Sequence, residues 1–493
     1  MAGSPECNFA GQLAKRLGEH SYLIDAATGE TILPCDLAQL ISSFGGSLHS
    51  AGLKAGDRIL IGCLLSPPSS VAYLGAMYAG LVPVPIEEGV LISSLHELLK
   101  RTRARAVWTE KTSRVEGIAD TGVLALRGHP AENRADQMPP APCKESDLAV
   151  LVATSGSTGS PRFVMVSHGN LTANTEAIIR SQNLLNDERA MLILPLSYCF
   201  GASVLHTHLY QGGGVVFDRR FMFPDKVLRA INEYECTTFA GVPTVYNILL
   251  RRSNLRSIPM PSLRRFLQAG GPLAPQRVAE MRAAAPTAKF YVMYGQTEAT
   301  ARISCLDPEH LEEKLGSAGR PLDNLAVRVV DEDGSDLPLG QTGEIIVRGP
   351  SITLGYLDEP EESRRTFKDG WLRTGDLAHL DSDGYIWIDG RKGTFLKMRG
   401  VRVSFAEIEA RVAAVPGVFE CAAAAVAHPE VGEALALYIV PDKEAREVAD
   451  RVRRSLPLHW TCESIKIVSE LPKTPYGKVS RVSLSKKATG TDG

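Results

Sequence analysis

The sequence predicts an α/β protein. It should have a large N-terminal domain of two helix-covered, mostly parallel sheets with a small β-barrel module, then a small α+β C-terminal domain. Three observations lead there. Short β-branched runs alternate with helical stretches through the first two thirds, and many of those runs end in Gly or Pro. From about residue 325 the texture shifts to hairpin-like strands and then to a basic, Gly-rich tail. At 493 residues the chain has room for about three domain-sized units.

The elements follow in order. "DRILIGC" reads as a strand, "SSVAYLGAMYAG" as a helix and "LVPVPI" as the next strand, one βαβ unit. "RAVWTE", "LAVLVAT", "MLILPL", "GVVFD", "CTTFAG", "RRFLQAG" and "KFYVMYG" supply further strands. A terminal Gly or Pro lets the next loop approach a ligand closely, and ligands of parallel sheets sit at the carboxyl ends of strands. "AVRVVDEDG" and "GEIIVRGP" read as hairpin strands of the β module. "SFAEIEARVAAV" reads as a helix that Ser404 opens, with Glu407 three residues on. "CAAAAVAH" and "EALALYIV" complete a small domain as strands. The boundary is expected near Asp389–Gly393, dividing residues 1–390 from 391–493, and no internal repeat is visible.

Composition narrows the function classes. The chain is 44% hydrophobic and 22% charged, with Lys+Arg 54 against Asp+Glu 56 and a net charge of -2. That balance argues against nucleic acid as partner and for a small substrate. Nine scattered cysteines without a CxxC pair suit a reduced cytoplasmic protein better than a disulfide framework or zinc site. The opening "MAGSPECNFAGQLAKRLGEH" has no signal-peptide pattern. The most apolar region is cut by Pro67-Pro68, short of the roughly 20 apolar residues of a membrane span. The glycosylation sequon Asn170-Leu171-Thr172 then reads as chance, and the molecule is expected to be a monomer or homodimer.

One stretch carries chemistry on its own, "LVATSGSTGSPRFVMVSHGNL", residues 151 to 171. After a strand, Thr154, Ser155, Gly156, Ser157, Thr158 and Gly159 can point backbone N–H groups and hydroxyls at one concavity suited to an anion. Alone, such a tract reads equally well as a flexible linker. It lacks the Gly-Lys-Ser/Thr ending of a P-loop kinase, whose product would be ADP.

"TSGSTGSPR", "QAGGPL", "YGQTEA", "GEIIVRG", "WLRTGDLAHLDSDGYIWIDGR", "KMRG" and "PKTPYGKVSR" occur in that order over almost the whole chain. The set resembles the adenylate-forming superfamily of acyl- and aryl-CoA synthetases, peptide-synthetase adenylation domains and firefly luciferase. The resemblance implies two-step activation of a carboxylic acid. The carboxylate attacks the α-phosphate of ATP with loss of pyrophosphate, and a thiol then attacks the acyl-adenylate. An anion meets a polyanion in the first step, so cations and fixed donors are needed where charge develops.

The resemblance also implies roles. Glu298 would hold Mg2+ with Thr297 beside the phosphates. Ala269, Gly270, Gly271 and Tyr294 would form the adenine shelf, with Gly295 and Gln296 also binding the nucleotide. Asp376 would bind the ribose hydroxyls, with Ile388 and Arg391 nearby. Lys478 would enter from a mobile C-terminal domain to bridge the carboxylate and α-phosphate, supplying the cation that the loop lacks. Lys397 would face the site in the thioester-forming state, and Gly393 would be the hinge. There are departures from the family pattern. Pro161-Arg162-Phe163 stands where Pro-Lys-Gly is usual, and Gly393 where Asp or Lys is common.

No aspartate stands at Cys199 or Gly201 to pair a substrate ammonium, so an amine-free acid, fatty, aryl or otherwise apolar, is expected. Tyr198, Cys199, Phe200, Gly201, Val242 and Tyr246, with Gly270 and Gly295, would line its pocket. Coenzyme A is the expected acceptor. The alternatives are the phosphopantetheine of an acyl carrier protein, and a nucleotide-binding relative without turnover.

Overall fold

The computed structural model describes residues 3–110, 123–132, 135–154, 162–392, 395–398, 401–428, 432–442, 447–457, 460–473, 479 and 484. Its first sheet has four parallel strands in the order Val82–Glu87, Arg58–Cys63, Ala106–Thr109, Leu124–Arg127. The proline pair that interrupts the apolar stretch begins the Pro67–Tyr78 helix. There a missing N–H costs nothing, and the Ser66 side chain accepts from Ser69 N.

The second sheet has nine strands. Its centre is parallel, running Leu23–Asp25, Gly214–Phe217, Arg189–Leu192, Thr238–Gly241, Arg265–Gln268, Lys289–Tyr294. Antiparallel strands finish both edges. The central strands are buried on both faces, which explains their near-continuous apolar runs.

"LAVLVAT" does form a strand, Leu148–Thr154, but it joins neither parallel sheet. It pairs antiparallel with Arg162–Ser167, so that Thr154 faces Arg162. Phe163, Val164 and Val166 are buried there. Asn170 is buried as well, and its side chain completes a capping box with Ser167.

Beyond residue 325 the expected module is a five-stranded antiparallel sheet built on Ala326–Val330, Gly343–Arg348, Trp371–Leu380, Phe367–Lys368 and Ile386–Arg391. The last part is a second five-stranded sheet from Phe395–Met398 to Cys462–Ile467, with helices Phe405–Ala413 and Val448–Ser455. Ser404 caps the first helix by accepting from Glu407 N at 3.0 Å. Leu396, Ile408, Val412, Leu435, Leu437 and Trp460 give this lobe an apolar core of its own. Against the large lobe, Arg277 Nη2 donates to the Val418 carbonyl at 3.2 Å. Arg252 lies 5.1 Å over the Phe419 ring, and Arg251 stands 3.7 Å from Asp442.

Among the described residues no helix is long and apolar enough to cross a membrane, and no cluster of three metal-ligating side chains occurs. None of the nine cysteines is in a disulfide.

Candidate active site

Parallel neighbours bring their carboxyl ends to one edge, and three of the predicted segments follow strands that end there. Strand Thr238–Gly241 leads to Val242, Arg265–Gln268 to Ala269-Gly270-Gly271, and Lys289–Tyr294 to Gly295-Gln296-Thr297-Glu298. Gly270 has φ +88°, and a Cβ there would lie 2.5 Å from Tyr198 Oη and 3.0 Å from Val242 Cγ1. Three residues from distant parts of the chain therefore meet at a point where only glycine fits. A Cβ on Gly295 would lie 2.0 Å from the Ala301 carbonyl oxygen, so the turn after Tyr294 folds directly onto its own backbone.

That turn is the single 3-10 turn Thr297–Ala299, and it closes on Thr300 at φ +67°. A β-branched residue in the left-handed region is strained. The Thr300 hydroxyl, donating to the Ser351 carbonyl at 2.7 Å, helps to hold it. Thr297 Oγ1 stands 3.4 Å from Cys199 Sγ and donates to it.

Glu298 Oε1 accepts from the Tyr356 hydroxyl at 2.8 Å. Burial, then the Glu298 charge, pushes that phenol above its ordinary pKa, so it stays a neutral donor. The sequence reading missed Tyr356, whose only signal was its place in "LGYLDEP". Opposite, the Tyr294 hydroxyl donates to Asp376 Oδ2 at 2.6 Å. Burial and the Asp376 charge raise the Tyr294 phenol well above its usual value. Asp376 and Arg391 face each other across paired strands, with Arg391 Nε 3.8 Å from Asp376 Oδ1. Ile388 lies on the same strand, partly buried against the β-module core.

Around the expected acid pocket, Tyr198 and Phe200 meet edge to face at 6.3 Å. Gly201 cannot present any side chain to it, because a Cβ there would strike the Pro195 and Leu194 carbonyls at 2.3 and 2.8 Å. Cys199 is the residue of that pair that touches the Thr297 turn. The expectation for Tyr246 needs correction. Its ring is fully buried among Phe239, Phe266 and Phe290, and its hydroxyl is spent on the Leu267 carbonyl at 2.8 Å. It is core, because a buried phenol needs an acceptor and finds one in the neighbouring strand.

Arg162 is held at 3.0 Å by Glu359 and 2.9 Å by Glu362, with its guanidinium 5.6 Å over the Tyr356 ring. Two carboxylates thus fix the forked cation that replaces a lysine, and Phe163 packs into the neighbouring core. The expectations for Ser155, Gly156, Ser157, Thr158, Gly159, Gly393 and Lys478 lie outside the described residues. Lys397 is described in its backbone, paired with Arg402 in a hairpin.

The donor set bears on a metal. A single carboxylate, one oxygen of which is tied by Tyr356, suits Mg2+, which keeps several waters and takes its other ligands from substrate phosphates. It would not make an all-protein cage.

The model of the AMP-binding enzyme family matches residues 14–357, and that of the AMP-binding enzyme C-terminal domain matches residues 407–478. The chain belongs to the AMP-binding enzyme family. Among its relatives, the feruloyl-CoA synthase of an Amycolatopsis species is 32% identical, over 92% of this chain and 93% of that protein. The sulfoacetate–CoA ligase of Cupriavidus necator is 31% identical, over 94% of each. Among solved structures, ATP-bound MatB from Rhodopseudomonas palustris superposes with a TM-score of 0.89 at 27% identity, covering 98% of both chains. In this AMP-binding enzyme the turns after strands Arg265–Gln268 and Lys289–Tyr294 share one sheet edge, and Tyr294 joins them to Asp376 of the β module.

Proposed function

We propose that the protein is an AMP-forming acid–thiol ligase that converts an amine-free carboxylic acid to its acyl-adenylate and then to its CoA thioester. The observation that carries this reading is the convergence of the Thr297–Glu298 turn and the Tyr294–Asp376 pair on one edge, in a chain whose family activates acids with ATP. A substrate carboxylate oxygen attacks the α-phosphorus, the bond to the β,γ-pyrophosphate breaks, and pyrophosphate leaves. The thiol sulfur then attacks the acyl carbon, and AMP departs with the former carboxylate oxygen.

Tyr294 and Asp376 orient the nucleoside, with Asp376 taking the ribose hydroxyls. Glu298, steadied by Tyr356, would hold Mg2+, which when bound supplies charge neutralisation on the phosphates. Thr297 donates at the same edge. Lys478 brings an ammonium to the carboxylate and α-phosphate, Lys397 serves the second half-reaction, and Gly393 is the pivot between them. The absence of a disulfide supports action in the cytoplasm. The relatives' names span aryl and sulfonated acids, so kinship alone does not set the acid.

The test is incubation with ATP and a panel of acids, with and without CoA, reading pyrophosphate and identifying products by mass. Acid-dependent pyrophosphate, AMP and a CoA thioester are expected, and release should collapse in Lys478→Ala. Adenylate formation without thioester would move the acceptor to a carrier-protein phosphopantetheine. Absence of pyrophosphate with every acid would leave a nucleotide binder.

A further inference from the structure

Arg302 lies four residues beyond Glu298, on the segment that returns from the strained Thr300 turn to strand Ser304–Leu306. Its backbone is clamped from both sides by buried Asn174. The Asn174 Nδ2 donates to the Arg302 carbonyl at 2.9 Å, and the Arg302 N–H donates to Asn174 Oδ1 at 3.3 Å. The side chain is enclosed, at 2% exposure. Its Cζ stands 4.9 Å over the Phe200 ring, and its Nε is buried with no acceptor among the described residues.

The other two buried arginines among the described residues are differently placed. Arg265 reaches Glu188 at 2.6 Å, and Arg277 reaches Glu280 at 2.6 Å. Among the described residues no carboxylate pairs with Arg302. The ionisable groups closest in effect are Cys305, Cys199 and Tyr198. Burial raises the Cys305 thiol to about 12 and pushes the Tyr198 phenol up as well, so neither supplies an anion near neutral pH. Burial also holds Arg302 below the usual arginine range, yet a guanidinium stays charged in proteins.

Magnitudes decide what this means. A cation over an aromatic face gains about 2 kcal/mol when desolvated. Removing an unpaired cation from water costs several kcal/mol. Phe200 offsets part of that, and a partner of opposite charge is missing from the described protein. The guanidinium is also beside the acid pocket. Phe200 touches Tyr198, and Cys199, between them in sequence, takes the Thr297 hydroxyl. The first turn of the Cys199–Tyr210 helix thus has the reacting edge on one side and Arg302 on the other.

We propose that Arg302 receives a second anionic group, a carboxylate or sulfonate, on the tail of the acid, so that the preferred substrate is a dianion. This rests on the ligase reading above and narrows its substrate class. A pocket without an aspartate for a substrate ammonium, at Cys199 or Gly201, instead has a guanidinium beside it for a substrate anion. A buried donor left unpaired rejects analogues that lack its partner far more strongly than an apolar wall rejects a missing methylene.

The experiment measures kcat/KM for pyrophosphate release with aliphatic and benzene dicarboxylates and sulfoalkanoates. Each is compared with its monomethyl ester or with the monoacid of equal length. The best dianion should exceed its own monoanionic partner by at least about 100-fold. Arg302→Met should erase that preference while retaining turnover of the monoanion, and Arg302→Lys should restore part of it. Wild-type preference for monoanions, or equal loss of both classes in Arg302→Met, overturns the inference while leaving the ligase reading intact. If no acid of either class releases pyrophosphate, both readings fall. Should Arg302→Met not fold, the wild-type ratio alone decides.

Discussion

The Tyr294 hydroxyl donates to Asp376 Oδ2 across 2.6 Å and ties the end of a strand in the nine-stranded sheet to the β module. The residue expected at the adenine shelf and the one expected at the ribose are therefore a single unit. Tyr294→Phe removes this charge-assisted bond, worth about 1.5–3 kcal/mol. The KM for ATP should rise about tenfold, with that for the acid little changed. Pyrophosphate exchange at varied ATP and varied acid separates the two.

Tyr356→Phe keeps the ring against Phe367 and Arg162 but releases Glu298 Oε1. The Mg2+ concentration giving half-maximal pyrophosphate exchange should rise several-fold, and Glu298→Gln should lower the plateau itself. An unchanged Mg2+ dependence in Tyr356→Phe would separate the phenol from metal binding.

Gly295→Ala places a methyl 2.0 Å from the Ala301 carbonyl oxygen, which forces the Thr297–Glu298 turn to move. A shift near 1 Å in positioning groups costs about 100-fold in rate. Activity should fall by that order with the circular dichroism spectrum intact. Near-normal turnover would show that the turn has slack.

Three buried histidines make stability depend on pH. Burial lowers His168 to about 4, His206 to about 3 and His208 to about 4. His168 must stay neutral at Nδ1 to accept the Phe9 N–H at 3.1 Å. In the unfolded chain such groups titrate near 6.5, so between about 6.5 and 4 the unfolded state binds more protons. Their stabilisation is complete above the unfolded value and falls as pH drops, by about 1.4 kcal/mol per pH unit for each histidine. The thermal midpoint should decline through that window, and His168→Gln should flatten part of the decline.

Gly393→Pro fixes φ at the expected pivot. The thioester half-reaction should slow more than adenylation, as single-turnover assays with and without CoA would reveal. Equal slowing of both would move the pivot elsewhere.

The sheets were legible because their strands are apolar runs broken by Gly and Pro, signals that survive without an alignment. Gly270 and Gly295 stood out as glycines after strands, but the contacts that demand them come from Tyr198, Val242 and Ala301, which no local pattern connects. Tyr246 was misplaced because an aromatic in the first turn of the helix after a strand, here Pro243–Arg252, reads alike whether it turns to a ligand or to Phe266. Tyr356 and Arg302 went unread for the converse reason. Each gains its meaning from a partner at long range, Glu298 for one and the ring of Phe200 for the other. Arg162 was noticed as a substitution, but its explanation lay about 200 residues away in Glu359 and Glu362.

The two lobes adhere through a guanidinium on a backbone oxygen, an arginine over a ring and a long ion pair. The Arg277 bond is buried, while the part-exposed ion pair contributes about 1 kcal/mol or less and weakens with salt. Each lobe keeps its apolar interior sealed when they part. The domain rotation expected from the sequence would therefore not require partial melting of either core. Ionic strength becomes a practical handle on how often the lobes let go.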